Sequence, residues 1–164
     1  MSSDIRVLTA VSQSKLAEDL QAEQIAVLMS LMTLHHCEVN GSSLELDGAV
    51  LQDALMVLVK GEIEITATVN HEHVALYLTE PGDLARIISF VGGDVSIEAH
   101  ISVKRDSSML LLKRASLESL LDSHPSIAYY VMRNLVRHMH GVFRRGNTER
   151  EEMKNYMYCI HGRY

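Results

Sequence analysis

Nine histidines in 164 residues make metal coordination the first chemistry to consider. His71-Glu72-His73 sets two imidazoles on one side of an extended segment, the disposition that a divalent metal in a β-barrel needs. A third ligand is hard to find: Leu76, Tyr77 and Leu78 follow the pair, and the next acid is Glu80. Asn70 marks a turn, so an exposed hairpin end accounts better for the pair. His35-His36-Cys37 offers two imidazoles and a thiol, but neighbours on a strand point to opposite faces and do not converge on one ion. His138 and His140 lie two apart on a helical pattern and diverge likewise. His138 is expected in a subunit seam, where its charge would change near neutral pH. No order of serine, histidine and acid, no glycine-rich phosphate loop and no close carboxylate pair falls on suitable elements, so these motifs do not support catalysis.

The formal net charge of −6 hides an asymmetry. From Arg133 onward seven basic residues face three acids, a net of +4, whereas residues 1–132 hold eight basic and eighteen acidic residues, a net of −10. A basic tail on an acidic body suits nucleic acid, anionic lipid or an acidic partner. Acids interleave with the tail's bases and no aromatic or glycine-rich loop accompanies them, so a solvated helix is the preferred reading. The longest apolar run, Ala54 to Val59, falls far short of the ~20 residues that span a bilayer. Asp4 stands where a secretory signal carries positive charge, and a cytoplasmic location is expected. Cys37 and Cys159 are then expected to remain thiols without a disulfide.

The elements follow from spacing. Leu16, Leu20, Ile25, Leu28, Met29 and Met32 recur at intervals that predict one or two helices over residues 14 to 34. From Cys37 the pattern changes. Turn signals at Asn40-Gly41, Asp47-Gly48, Lys60-Gly61, Val69-Asn70, Pro81-Gly82-Asp83 and Gly92-Gly93-Asp94 separate short β-prone stretches, as in a sandwich or barrel. Leu55 to Val59 reads as an apolar strand, Lys60-Gly61 as a tight turn, and Glu62 to Thr66 as a half-buried strand. Further strands are predicted over His73 to Leu78, Ser96 to Val103 and Ser108 to Leu112. Ser116 to Leu121 predicts a short helix, and Ser123-His124-Pro125 caps a long one carrying Ile127, Val131, Leu135, Met139 and Val142. Gly141 and Gly146-Asn147 should weaken or break it. The methionines, among them Met29, Met32, Met56, Met109, Met132 and Met139, read as core filling.

This order of elements resembles the cyclic-nucleotide-binding domain of the catabolite activator and fumarate-nitrate regulator superfamily. The matching stations are Gly41 and Gly48, the stretch from Leu55 to Ile65 with Gly61 at its centre, Pro81-Gly82-Asp83, and His124-Pro125-Ser126-Ile127. The likeness spans about residues 14 to 145. It implies a mainly β fold, a β-roll of jelly-roll or cupin-like type with flanking helices, and a long C-terminal dimerisation helix. It also implies a phosphate-binding cassette after Gly82-Asp83, where a short helix, a glutamate and an arginine read the cyclic phosphate and the ribose. Here Arg86 stands at the cassette glycine, Ile87 at the glutamate, and Ile97-Glu98-Ala99 at the arginine, hydroxyl residue and alanine. With both ligand-reading side chains replaced, cyclic AMP and cyclic GMP are not expected to bind. Arg86 itself is expected to be exposed.

The chain is thus expected to comprise a lead (1–13), a helix and β-roll (14–122), a dimerisation helix (123–145) and a basic, aromatic tail (146–164). Its seam would consist of Ile127, Val131, Leu135, Met139 and Val142. Residues 146–164 are too few for a winged helix-turn-helix, so sequence-specific DNA reading by the family's route is not expected. The preferred function is a non-catalytic regulatory or scaffolding module, homodimeric, without cofactor or membrane span, with the aromatic tail Tyr156 to Ile160 open to a protein partner. Three alternatives remain: a sensor of another ligand, such as a cyclic dinucleotide or other anion, near Arg86; a cupin-like metal-dependent enzyme using His71 and His73; and a nucleic-acid binder using Arg144 and Arg145.

Overall fold

The computed structural model describes residues 3–39, 48–69, 72–92 and 99–161, with side chains on the last helix described as far as residue 146. Five antiparallel strands form the sheet: β1 (Met32–Cys37), β2 (Ala54–Val69), β3 (Glu72–Leu78), β4 (Leu84–Ala85) and β5 (Ala99–Lys113), in the order β1-β5-β2-β3 with β4 paired to β2. The apolar run of β2 is continuous because both of its faces are buried. Leu55, Val57 and Val59 enter a core shared with helices, whereas Met56 and Leu58 enter a second core with Ile63, Ile65, Leu78, Met109 and Leu111. The register repeats this division on β5, where Leu55 faces Leu112, Met56 faces Leu111 and Val57 faces Leu110.

Two strand boundaries read from turn residues prove to be continuous strand. Lys60-Gly61 does not reverse the chain; β2 runs through it, and its pairing with β5 slips between Leu58 and Ile63. Gly61 sits at φ +100°, and a Cβ there would lie 2.6 Å from the Ser107 Cα and 2.7 Å from the Asp106 carbonyl oxygen. The glycine makes a bulge that bends the paired strands, with the Glu62 amide donating to Ser107 Oγ at 3.0 Å. The stretches ending at Val103 and beginning at Ser108 are likewise one 15-residue strand, since the polar residues between them keep pairing with β2. Ser96 lies outside the described residues, as do Asn40 and Gly41. Gly48 opens a short helix, α3 (Gly48–Leu51), rather than turning a hairpin.

All the helices but α3 pack on one face of the sheet, while α3 sends Leu51 into the second core. The lead contains α1 (Ser3–Gln13), whose Ala10 and Val11 are fully buried. A 3₁₀ turn (Lys15–Ala17) follows, its Ser14 hydroxyl accepting the Leu16 amide, and α2 (Ala22–Ser30) opens with a Gln21–Gln24 capping box. Met32 begins β1 instead of continuing α2. Two one-turn helices, α4 (Ile87–Phe90) and α5 (Arg114–Glu118), flank β5, the latter two residues earlier than the spacing of Ser116 to Leu121 predicts. Met56 and Met109 are fully buried, and Met29, Met32, Met132 and Met139 pack partly against the helical core.

The chain closes its described part with α6 (Pro125–His161), 37 residues without a break at Gly141 or Gly146. Each glycine costs a helix interior only about 1 kcal/mol relative to alanine, and no proline interrupts the hydrogen-bond ladder. Ile127, Val131 and Leu135 are 1%, 0% and 1% exposed within their own molecule and belong to its helical core. They are therefore unavailable to the subunit seam expected of them: the helix turns its most apolar face inward, onto the body. Of the remaining seam residues, Met139 packs partly on that core and Val142 is exposed. Asn134, also buried, donates through Nδ2 to the carbonyl oxygens of Leu16 and Glu18, while Arg133 and Arg137 pair with Asp19 at 2.6 and 3.2 Å. Among the described residues no helix is long and apolar enough to cross a membrane.

Candidate ligand site

The Pro81-Gly82-Asp83 turn is tied down on three sides. Gly82 donates to the Leu58 carbonyl at 2.8 Å and Leu58 donates to the Asp83 carbonyl at 2.9 Å, which fixes the turn to β2. Gly82 lies at φ +95°, and an added Cβ would come within 2.9 Å of the Ala10 carbonyl oxygen, so α1 packs directly on the turn. The Asp83 carboxylate accepts the backbone amides of Thr79 and Glu80, each at 2.9 Å. It is committed to shaping the turn.

After β4 comes Arg86, at φ 64°, ψ 27° in the left-handed region. This conformation costs a non-glycine residue roughly 1–2 kcal/mol. An arginine here therefore adopts the backbone that a glycine adopts without strain, which fits the sequence register placing it at the cassette glycine. The residue is half-buried, not exposed as expected, because its guanidinium lies along α4 and Nη2 donates to Ser89 Oγ at 3.4 Å. Its Nε is buried and has no hydrogen-bond partner among the described residues, and burial draws the guanidinium pKa down while leaving the group charged.

Ile87, at the position of the cassette glutamate, is 7% exposed and joins the helical core beside Phe90. Ile88 and Val91 are exposed. Ala99 begins β5, exposed and paired with Ala67. Ile97 and Glu98 lie outside the described residues. Of the candidate residues described, Arg86 is joined to Ser89, the Asp83 carboxylate is turned to the Thr79 and Glu80 amides, and Ile87 is packed in the core. The guanidinium of Arg86 is the donor group here that an anion could meet, and no nucleophile with an adjacent base is found among these described residues.

The other candidate groups stand apart. His73 is exposed on β3, and His71 lies outside the described residues. Among the described residues no three histidine, cysteine, aspartate or glutamate side chains are grouped to hold a metal. His36 Nδ1 lies 2.7 Å from the buried Ser108 Oγ, while Cys37 packs against the roll interior, so the His35-His36-Cys37 run diverges as strand geometry requires. His138 does not face outward into a seam. It is half-buried over its own body, where burial first, then the charges of Arg145 and Lys15, lower its pKa against an opposing pull from Asp83.

No protein-family model matches the sequence, and no curated protein matches it. Solved structures do share its fold. A cyclic nucleotide-binding domain from Methylobacillus flagellatus KT superposes with a TM-score of 0.69 at 19% identity, covering 88% of this chain and 80% of that one. The N-terminal domain of a transcriptional regulator from Streptomyces coelicolor A3(2) gives 0.61 at 18%, covering 83% and 94%. The catabolite activator protein of Thermus thermophilus gives 0.62 at 21%, covering 86% of this chain and 63% of that one. The fold is that of the cyclic-nucleotide-binding domain, and the β-roll expected from the order of strands and turns is the architecture observed.

Proposed function

We propose that the chain is a non-catalytic regulatory module of the cyclic-nucleotide-binding fold that does not read cyclic AMP or cyclic GMP. The observation that carries this reading is Ile87: the position of the cassette carboxylate holds an aliphatic side chain 7% exposed and packed in the core. A ribose hydroxyl there would lose a charge-assisted hydrogen bond of about 1.5–3 kcal/mol. Ile97, at the arginine position in sequence, would remove the bidentate clamp on the phosphate as well. The left-handed backbone of Arg86 supports the register on which both substitutions rest. In this role the module acts in the cytoplasm by protein contact, with α6, which carries most of the basic, aromatic tail, as the natural output.

A second reading has its own observation. The buried Nε of Arg86, without a partner among the described residues, favours an anion other than a cyclic mononucleotide. Thermal melting of the full chain with cyclic AMP, cyclic GMP and cyclic di-GMP separates the two. A ligand at a hundred times its dissociation constant adds about 2.7 kcal/mol, a shift that a melt resolves readily. No shift with the mononucleotides is expected. A shift with cyclic di-GMP alone, abolished by Arg86→Ala, would establish the second reading, and a shift with either mononucleotide would sink the first.

A further inference from the structure

The short helix α4 is held at both ends and along its inner face. The amides of Phe90, Val91 and Gly92 donate to the carbonyl oxygens of Arg86, Ile87 and Ser89 at 3.0, 3.0 and 3.2 Å and complete its single turn. A helix of this length has no stability of its own in water, so contacts must fix it. Ile87 and Phe90, 7% and 0% exposed, fasten it to the helical core, and at its start Arg86 reaches over the turn to Ser89 Oγ. The far end is covered by Arg114, the first residue of α5. Gly92 lies at φ +81°, and a Cβ there would meet Arg114 Nη1 at 2.7 Å, so the guanidinium rests on the glycine. The same guanidinium pairs through Nη2 with Asp53 at 3.0 Å and through Nε with Glu118 at 3.8 Å, and the Arg114 amide donates to the Asp53 carbonyl oxygen at 2.9 Å.

We infer that Arg114 is a clasp that keeps α4 shut, and that the segment from Arg86 to Gly92 is a fixed strut of this molecule and not a moving part. One guanidinium joins three elements distant in sequence: the approach to β2 through Asp53, the end of α4 through Gly92, and α5 through Glu118. Displacing α4 would uncover Ile87 and Phe90 and pull Gly92 from beneath the guanidinium in the same movement, so the losses fall together. Asp53 is shaped for its part. It takes a left-handed backbone at φ +53°, which an aspartate tolerates better than most side chains, and there both its carbonyl oxygen and its carboxylate meet the same arginine. A ligand can shift an equilibrium only where a second state lies within reach, and the clasp removes that second state from α4. None of these contacts depends on what the cassette binds.

Native-state hydrogen exchange of the full chain, followed by NMR at the amides of Phe90, Val91 and Gly92, tests both parts. In the unaltered protein these amides should exchange slower than an unstructured chain by roughly a hundredfold or more. Arg114→Gln should quicken Val91 and Gly92 about tenfold. Asp53→Asn removes the paired charge but keeps a residue suited to the left-handed backbone, and should give a smaller rise at the same two amides. Lys113→Gln deletes the neighbouring cation, which donates to the Gln52 carbonyl oxygen at 2.8 Å, and should leave α4 as it is. Unprotected amides in the unaltered chain would overturn the fixed strut. Val91 and Gly92 unmoved by Arg114→Gln, or moved as far by Lys113→Gln, would overturn the clasp. Melting with cyclic AMP bears on the proposed function alone, so the two readings stand or fall separately.

Discussion

Arg86 concentrates what single residues contribute to this molecule. It occupies a left-handed backbone position that penalises any side chain, and it half-buries a guanidinium whose Nε finds no partner among the described residues. Arg86→Gly removes the backbone penalty, with part of the gain returned through the greater freedom of glycine in the unfolded chain. The expected outcome is a gain of about 1 kcal/mol, a rise in melting temperature of about 2–4 °C by calorimetry. A fall instead would mean that the guanidinium contributes more to the native state than its one long bond to Ser89 indicates. The proposed replacement of the cassette residues rests on the register that Pro81-Gly82-Asp83 sets in the sequence. The burial of Arg86 was not legible, because exposure statistics for arginine ignore the direction in which a left-handed residue sends its side chain.

At the scale of elements, the docking of α6 rests on polar as well as apolar contacts. Asn134 satisfies two carbonyl groups of the Leu16–Glu18 segment from a buried position, so Asn134→Ala should cost about 1–3 kcal/mol in urea unfolding without altering the fold. His138 makes the same docking sensitive to pH. Its folded-state pKa lies below the ordinary 6.5, so the unfolded chain binds the proton more readily. The contribution is intact above about 6.5 and declines as pH falls below it, and His138→Gln should flatten that part of a stability profile measured from pH 8 to pH 5. Periodicity located the helix but assigned its apolar row to a partner, since spacing alone cannot tell a body from a second subunit. Only the packing of Ile127, Val131 and Leu135 shows that their row is internal. The glycines misled for a related reason. Gly61 was read as a reversal and Gly141 as a break, whereas one serves a bulge and the other is tolerated by a long helix.

For the whole molecule, the order of helix, roll and long helix could be read from the sequence because two-faced burial and turn chemistry leave strong local marks. The association of α1 with the Pro81-Gly82-Asp83 turn left none, since it depends on Gly82 admitting the Ala10 carbonyl across 72 positions of sequence. The two cores lie on opposite sides of β2, with Leu55, Val57 and Val59 in one and Met56 and Leu58 in the other. A stretch of backbone five residues long is thus common to both, and neither can come apart while it stays paired. Urea unfolding followed by tyrosine fluorescence and by far-UV circular dichroism should give coincident curves, and a separated pair would contradict this sharing. Seen through native-state hydrogen exchange, the same five amides become the slowest in the protein, released only by global opening. The strand would then serve as the clock against which every other opening in the molecule is timed.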